Sequence, residues 1–156
     1  MEESRKIVIV TGASRGIGHT TARMFLERGW QIITCSRDDT PEACKRDPNW
    51  TCHIPTDLGD ADSLANFIEE ANAALGDQPL HALVNNAGMS PLYDRAADIP
   101  EALYDKVLEV NLKGPFRLCA EIGQRMADRG GGSIINISSM AAIHPRKNII
   151  LYAAAK

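Results

Sequence analysis

No stretch of the sequence approaches the roughly 20 consecutive apolar residues that a helix needs to cross a bilayer, so no membrane span is expected. The amino terminus, Met1-Glu2-Glu3-Ser4-Arg5-Lys6, runs straight into a short β-branched segment. It lacks the long apolar core and small-residue cleavage site of a secretory signal. Runs of Lys or Arg are missing too. With 17 basic against 20 acidic residues the chain is mildly acidic, and nucleic acid is not an expected partner. Cys35, Cys44, Cys52 and Cys119 form no CxxC pair and have no His at metal-ligand spacing, so no metal is expected. Without an export signal they read as reduced thiols in a cytoplasmic protein. Repeats, low-complexity tracts and linkers are also absent. What remains is one domain of 156 residues, whose 44% hydrophobic and 24% charged composition argues against disorder.

Short β-branched runs alternate with segments of helical period. Residues 6–11 (KIVIVT) are apolar on both alternating faces, which predicts a central parallel strand. The run breaks at Gly12. Gly18, Ala22, Phe25 and Leu26 then recur at i, i+4, i+7 and i+8, predicting a helix that stops at Gly29. Residues 30–36 and the weaker 51–55 read as the second and third strands. Residues 57–62 offer helix N-caps before the stripe Leu64, Phe67, Ile68, Ala71 and Leu75. Residues 80–85 predict a fourth strand. Pro100 is suited to open a helix at its first position, carrying Leu103, Val107 and Val110. Gly114-Pro115 predicts an interruption, beyond which Phe116, Cys119, Ile122 and Met126 continue the stripe to Gly130-Gly131-Gly132. Residues 133–138 are the fifth strand. This alternation predicts an α/β fold, a doubly wound parallel sheet with right-handed crossovers and helices on both faces.

Between the first strand and the first helix lies Thr11-Gly12-Ala13-Ser14-Arg15-Gly16-Ile17-Gly18. Glycines there let the backbone turn sharply and approach a pyrophosphate, whose charge the helix amino end favours. Gly18 also leaves room for the helix to press against the sheet. Such a turn also serves as a plain strand–helix connection, but its position after a buried first strand points to a nucleotide. The residues 11–18, Asn85-Asn86-Ala87-Gly88, Asn111, Ser139 and Tyr152-Ala153-Ala154-Ala155-Lys156 stand in the order and spacing of the short-chain dehydrogenases/reductases. Over essentially its whole length the chain resembles that family, and most of all its 3-oxoacyl-carrier-protein-reductase-like branch. The resemblance implies a Rossmann-type three-layer α/β/α fold whose last strands lie outside this chain.

The resemblance also implies that Gly12, Ser14, Arg15, Gly16, Ile17, Gly18, Ser36 and Arg37 bind the coenzyme. Asp57 would accept a bond from the adenine amino group with Leu58 nearby, and Asn86, Ala87 and Gly88 would line the coenzyme's middle. Taken alone, Asp57 also reads as a helix cap, and Asn85 and Asn86 as turn residues. An NAD enzyme usually places a carboxylate at the end of the second strand for the ribose 2′-hydroxyl. Here Cys35-Ser36-Arg37 occupies that stretch and Arg15 sits in the glycine turn. Two guanidiniums and a hydroxyl suit a 2′-phosphate, so NADP(H) is the expected coenzyme. NAD(H) is the alternative, because Asp38 and Asp39 follow at once.

Hydride transfer to a carbonyl leaves negative charge on oxygen, so a site needs a proton donor and a polarising hydroxyl. A phenol ordinarily titrates near about pH 10; an adjacent ammonium and the oxidised nicotinamide favour the phenolate. Tyr152 and Lys156, four residues apart, share one face of a helix. Ser139 falls just past the fifth strand, where the ligand crevice of a parallel sheet lies. By the resemblance, Tyr152 is the general acid in reduction and the base in oxidation. Ser139 donates to the substrate oxygen, its spacing to Tyr152 selecting it over Ser138. Lys156 favours the phenolate and binds the nicotinamide ribose, while Asn111 holds a water that relays protons to Lys156. Beside Gly114-Pro115, Asn111 also suits a second, compatible role, satisfying a loosened helix backbone. His144, Pro145 and Arg146 read as loop residues, with a place at the border of the substrate mouth as the alternative, His53 and His81 as structural, and Trp30 and Trp50 as packing near strand ends.

Lys156 is the last residue, whereas the resembled family continues the Tyr/Lys helix and adds further strand–helix units. The stronger expectation is the first part of a longer enzyme, a homodimer or homotetramer at full length, acting on a small-molecule carbonyl or alcohol. The alternative is a truncated, noncatalytic dinucleotide-binding module. A third reading, an epimerase or dehydratase with tightly held NAD, is disfavoured by the glycine spacing and Arg37.

Overall fold

The computed structural model describes residues 5–40, 44 and 46–156, so expectations about residues 1–4 lie outside it. Strand β1 (Ile7–Thr11) is buried at every position, as its two apolar faces predict. Its side chains alternate between two layers. Ile7 and Ile9 join one core with Phe67, Leu118 and Ile122. Val8 and Val10 join a second with Ala22, Ile32 and Trp50.

Helix α1 (Gly16–Glu27) leads to β2 (Gln31–Ser36), and β3 is Trp50–Pro55. Then follow α2 (Ala61–Leu75), β4 (Ala82–Asn85), α3 (Glu101–Leu108), α4 (Gly114–Asp128), β5 (Ser133–Asn136) and the short α5 (Ile150–Ala154). The sheet is wholly parallel with strand order β3-β2-β1-β4-β5. Helix α1 covers one face, and α2 with α4 covers the other. The chain is therefore a doubly wound α/β sheet. The order of connection reverses between β1 and β4, which opens a crevice beyond their carboxyl ends.

Several local expectations need correction. Asp60, not Asp57, caps α2, its Oδ1 accepting from the Ser63 N–H at 2.8 Å. Pro100 is the N-cap of α3 and not its first residue. The interruption near Gly114 is a π-helical turn, Glu109–Lys113, which lies before the glycine. Its wider turn changes the phase of the stripe. Phe116 is 67% exposed, while Leu118, Ile122 and Met126 face the core. Strand β5 stops at Asn136, and all four of its residues are exposed on the sheet's edge. Among the described residues, no helix is long and apolar enough to cross a membrane, and no group of three or more His, Cys, Asp or Glu could hold a metal ion.

Candidate functional site

The crevice is built by two loops pressed together. The Thr11 hydroxyl accepts from the Asn86 and Ala87 N–H groups, each at 3.0 Å. Asn86 Nδ2 in turn donates to the Thr11 carbonyl at 3.0 Å and to the Gly12 carbonyl at 3.3 Å. Gly12 adopts φ +68°, and a Cβ there would lie 2.8 Å from Ala87 Cα. A Cβ on Gly18 would lie 2.2 Å from the Gly12 carbonyl oxygen. Gly18 thus makes room for the turn itself, where the sequence reading assigns that room to the sheet. The first turn of α1 has no side-chain cap and no acidic residue. Such a helix terminus favours an anion.

Most of the predicted coenzyme residues share one groove of about 290 Å³. Its walls include Gly12, Ser14, Arg15, Ile17, Ser36, Arg37, Asp57, Leu58, Asn86, Ala87 and Gly88. Gly16 and Gly18 shape the turn without lining it. At one end Arg15 pairs with Asp38 at 3.1 Å, both side chains well exposed. The Ser36 hydroxyl donates to the Asp38 carbonyl at 2.6 Å, and Arg37 is exposed. Of the two acidic residues that temper the coenzyme reading, Asp38 lines the groove and Asp39 does not.

Asp57 is braced on both oxygens. Oδ1 accepts from the Gly59 N–H at 2.9 Å and Oδ2 from Lys106 at 2.8 Å. Burial pushes its carboxyl up, but Lys106, the Gly59 N–H and the Arg37 charge together hold it below the usual carboxylate range.

At the other end, Asn111 is 5% exposed. Its Oδ1 accepts from the Met89 N–H and its Nδ2 donates to the Met89 carbonyl, both at 2.8 Å. The side chain therefore satisfies the loop after β4 and not its own helix. Lys156 Nζ donates to the Ile137 carbonyl at 2.8 Å, and burial pushes its ammonium below the ordinary lysine range. A Cβ on Gly88 would lie 3.1 Å from this Nζ and 3.4 Å from Asn111 Oδ1. Gly88 is where the groove meets both residues.

The N–H groups of Ala155 and Lys156 bond three residues back, to Tyr152 and Ala153 at 3.1 and 3.5 Å. The last turn is tighter than an α-turn, and Lys156 lies past the end of α5. Ser139 Oγ accepts from the Ala141 N–H at 3.1 Å, capping a 3₁₀ turn, Met140–Ala142, that packs against α5. Its own proton remains to donate. Ser138 instead donates to the Lys156 carbonyl at 2.8 Å. Asn111 and Lys156 line a neighbouring cavity of about 380 Å³; Ser139 and the half-buried Tyr152 line neither space. The sequence reading does not pick out Thr56, Met89 or Val110, which also line the groove. Val110 reads there as part of a helix stripe, and the sole signal for Met89 is that it follows Gly88.

The sequence matches the short chain dehydrogenase family model over residues 6–156. It is similar to the protein FixR of Bradyrhizobium diazoefficiens, 39% identical over 148 residues, covering 90% of this chain and 53% of FixR. It is also similar to an NAD-dependent glycerol dehydrogenase of Listeria innocua, 31% identical over 153 residues, covering 97% of this chain and 59% of that protein. Among solved structures, an oxidoreductase of the short chain dehydrogenase/reductase family from Brucella ovis, in complex with a partially ordered NAD, matches with a TM-score of 0.86 at 35% identity. That match covers 97% of this chain and 71% of the other. The chain spans just over half the length of the curated relatives described.

Proposed function

The chain belongs to the short-chain dehydrogenase/reductase family, and on that premise we propose that the protein carrying it is an NADP(H)-dependent oxidoreductase interconverting a ketone or aldehyde and an alcohol. The observation that carries the reading is the junction at Gly88, where Lys156 Nζ stands against the wall of the groove. A group that manages protons thereby adjoins the space suited to a dinucleotide. The groove fits such a ligand in its chemistry. Gly12 and Gly18 hold the turn where any Cβ would collide, and the uncapped amino end of α1 favours a phosphate. When bound, the coenzyme supplies or accepts hydride.

In this reading Tyr152 gives its phenolic proton to the substrate oxygen in reduction and takes it back in oxidation. Ser139, whose Oγ already accepts from Ala141, donates its hydroxyl proton to the same oxygen. The Lys156 ammonium favours the ionised phenol between turnovers. Asn111 holds the groove wall beside Gly88 through Met89, and its amide keeps a second hydrogen and a second lone pair for the water that relays protons to Lys156.

Charge supports NADP(H). Ser36 ends β2, Arg37 follows it, and the first carboxylate after them, Asp38, is held by Arg15. That exposed pair contributes only about 0–1 kcal/mol, so a 2′-phosphate can draw Arg15 to itself. The Listeria relative is named as NAD-dependent and the Brucella structure holds NAD. Dissociation constants for NADPH and NADH therefore test the reading directly. NADPH is expected to bind about tenfold or more tightly. Equal affinity, or tighter NADH, removes the preference.

Two further features belong to the same reading. Leu112 and Phe116, 55% and 67% exposed, support assembly into a dimer or tetramer at full length. Cys35, Cys44, Cys52 and Cys119 are all free thiols, which supports a reducing, cytoplasmic setting.

A further inference from the structure

His53 lies on β3, outside the groove, and reaches β2 and the residues after it, Arg37 and Asp38, which line one end of the groove. The parallel ladder sets Thr34 opposite His53. Trp50 Nε1 donates to Thr34 Oγ1 at 3.0 Å, and that hydroxyl lies 2.9 Å from His53 Nδ1. The other ring nitrogen, Nε2, lies 3.1 Å from the Asp38 carbonyl and 3.2 Å from Ser36 Oγ. A carbonyl only accepts, so Nε2 must carry the proton. The Thr34 hydroxyl accepts from the indole, lies against Nδ1 and is also within 3.4 Å of the Cys52 carbonyl. Ser36 Oγ accepts from Nε2 and passes its own proton to the Asp38 carbonyl at 2.6 Å.

We propose that His53 is a positioning residue for coenzyme choice: it fixes the Ser36–Arg37–Asp38 backbone so that the Arg37 guanidinium stands ready for a 2′-phosphate. The proposal rests on the NADP(H) reading above. Ser36, Arg37 and Asp38 line the groove, and His53, which does not line it, lies within bonding distance of Ser36 and Asp38. A loop already ordered loses less conformational freedom when the ligand arrives. NADH lacks the phosphate that this loop would grip, so its binding depends less on the order.

The experiment measures NADPH and NADH dissociation constants for the wild type, His53→Phe, His53→Gln, Arg37→Ala and the double variant His53→Phe/Arg37→Ala. His53→Phe should weaken NADPH about five- to tenfold and NADH less than about twofold. His53→Gln, whose amide can still donate to the Asp38 carbonyl, should retain most of the NADPH affinity. In the double variant the two losses should fall short of additive, because both act through one loop. If His53→Phe does not fold, Thr34→Val, which removes the hydroxyl that holds the ring at Nδ1, replaces it under the same criteria. A wild type without preference for NADPH overturns both this proposal and the coenzyme reading. A wild type that prefers NADPH, with a ratio unmoved by His53→Phe or losses that simply add, overturns this proposal alone.

Discussion

Asn111 and Met89 hold each other through both ends of one amide, the Asn111 side chain accepting from the Met89 N–H and donating to the Met89 carbonyl at 2.8 Å each. Met89 lines the groove and Asn111 sits in the π turn, so this pair ties the groove wall to the point where the helix is interrupted. An Asn111→Leu variant leaves two backbone groups without these partners, and a buried orphan costs about 1–3 kcal/mol. Denaturant unfolding should therefore show a loss of about 2 kcal/mol or more, with weaker NADPH binding. Unchanged stability would mean the clamp is dispensable.

The glycine turn makes a paired prediction. Gly18→Ala drives a Cβ to 2.2 Å from the Gly12 carbonyl, so the turn must open. Gly16→Ala meets nothing within 4 Å and suffers only the φ of +59°, a strain of about 1–2 kcal/mol. Coenzyme titration of folded Gly18→Ala should show affinity lost by about tenfold or more, against little change in Gly16→Ala. Equal affinities in the two variants would detach the turn from coenzyme binding.

The Asp57–Lys106 pair predicts an acid-side dependence. Asp57 titrates lower in the fold than in the unfolded chain, so its stabilisation is complete above the unfolded value of 3.8 and disappears as pH falls through the folded value. Both side chains are 34% exposed, which limits the effect to about 1 kcal/mol. Unfolding free energies of wild type and Lys106→Met should differ near about pH 6 and converge towards about pH 3. A difference that stays constant across that range would exclude the ion pair as its source.

Burial pushes the Cys35 thiol up to about 12. Thiolate is the reactive form, so alkylation near about pH 8 should spare Cys35 in the folded protein and reach it after unfolding. Mass-mapped iodoacetamide labelling checks this. Labelling of native Cys35 as fast as the half-buried Cys119 would contradict the packing.

How far the molecule is legible in its sequence depends on how local each cause is. The two-faced run of β1 and the stripe of α2 show their burial through their own spacing, so the central sheet and its helices are readable from the chain. The glycine turn is readable because its backbone demands are also local. Thr11 is not, since its hydroxyl acts on N–H groups 75 and 76 residues away. The π turn likewise accompanies a bond from Asn111 to a residue 22 positions back, and no periodicity encodes it. Lys106 reads as an ordinary helix cation until the fold sets it against Asp57, 49 residues earlier.

The central claim is that Tyr152 passes the proton while a nicotinamide coenzyme passes hydride. Its most direct test is NADPH oxidation on addition of a ketone, followed in the full-length protein and in its Tyr152→Phe form. Turnover should fall by about 10²- to 10⁴-fold with NADPH binding intact. Turnover that survives the substitution would contradict it.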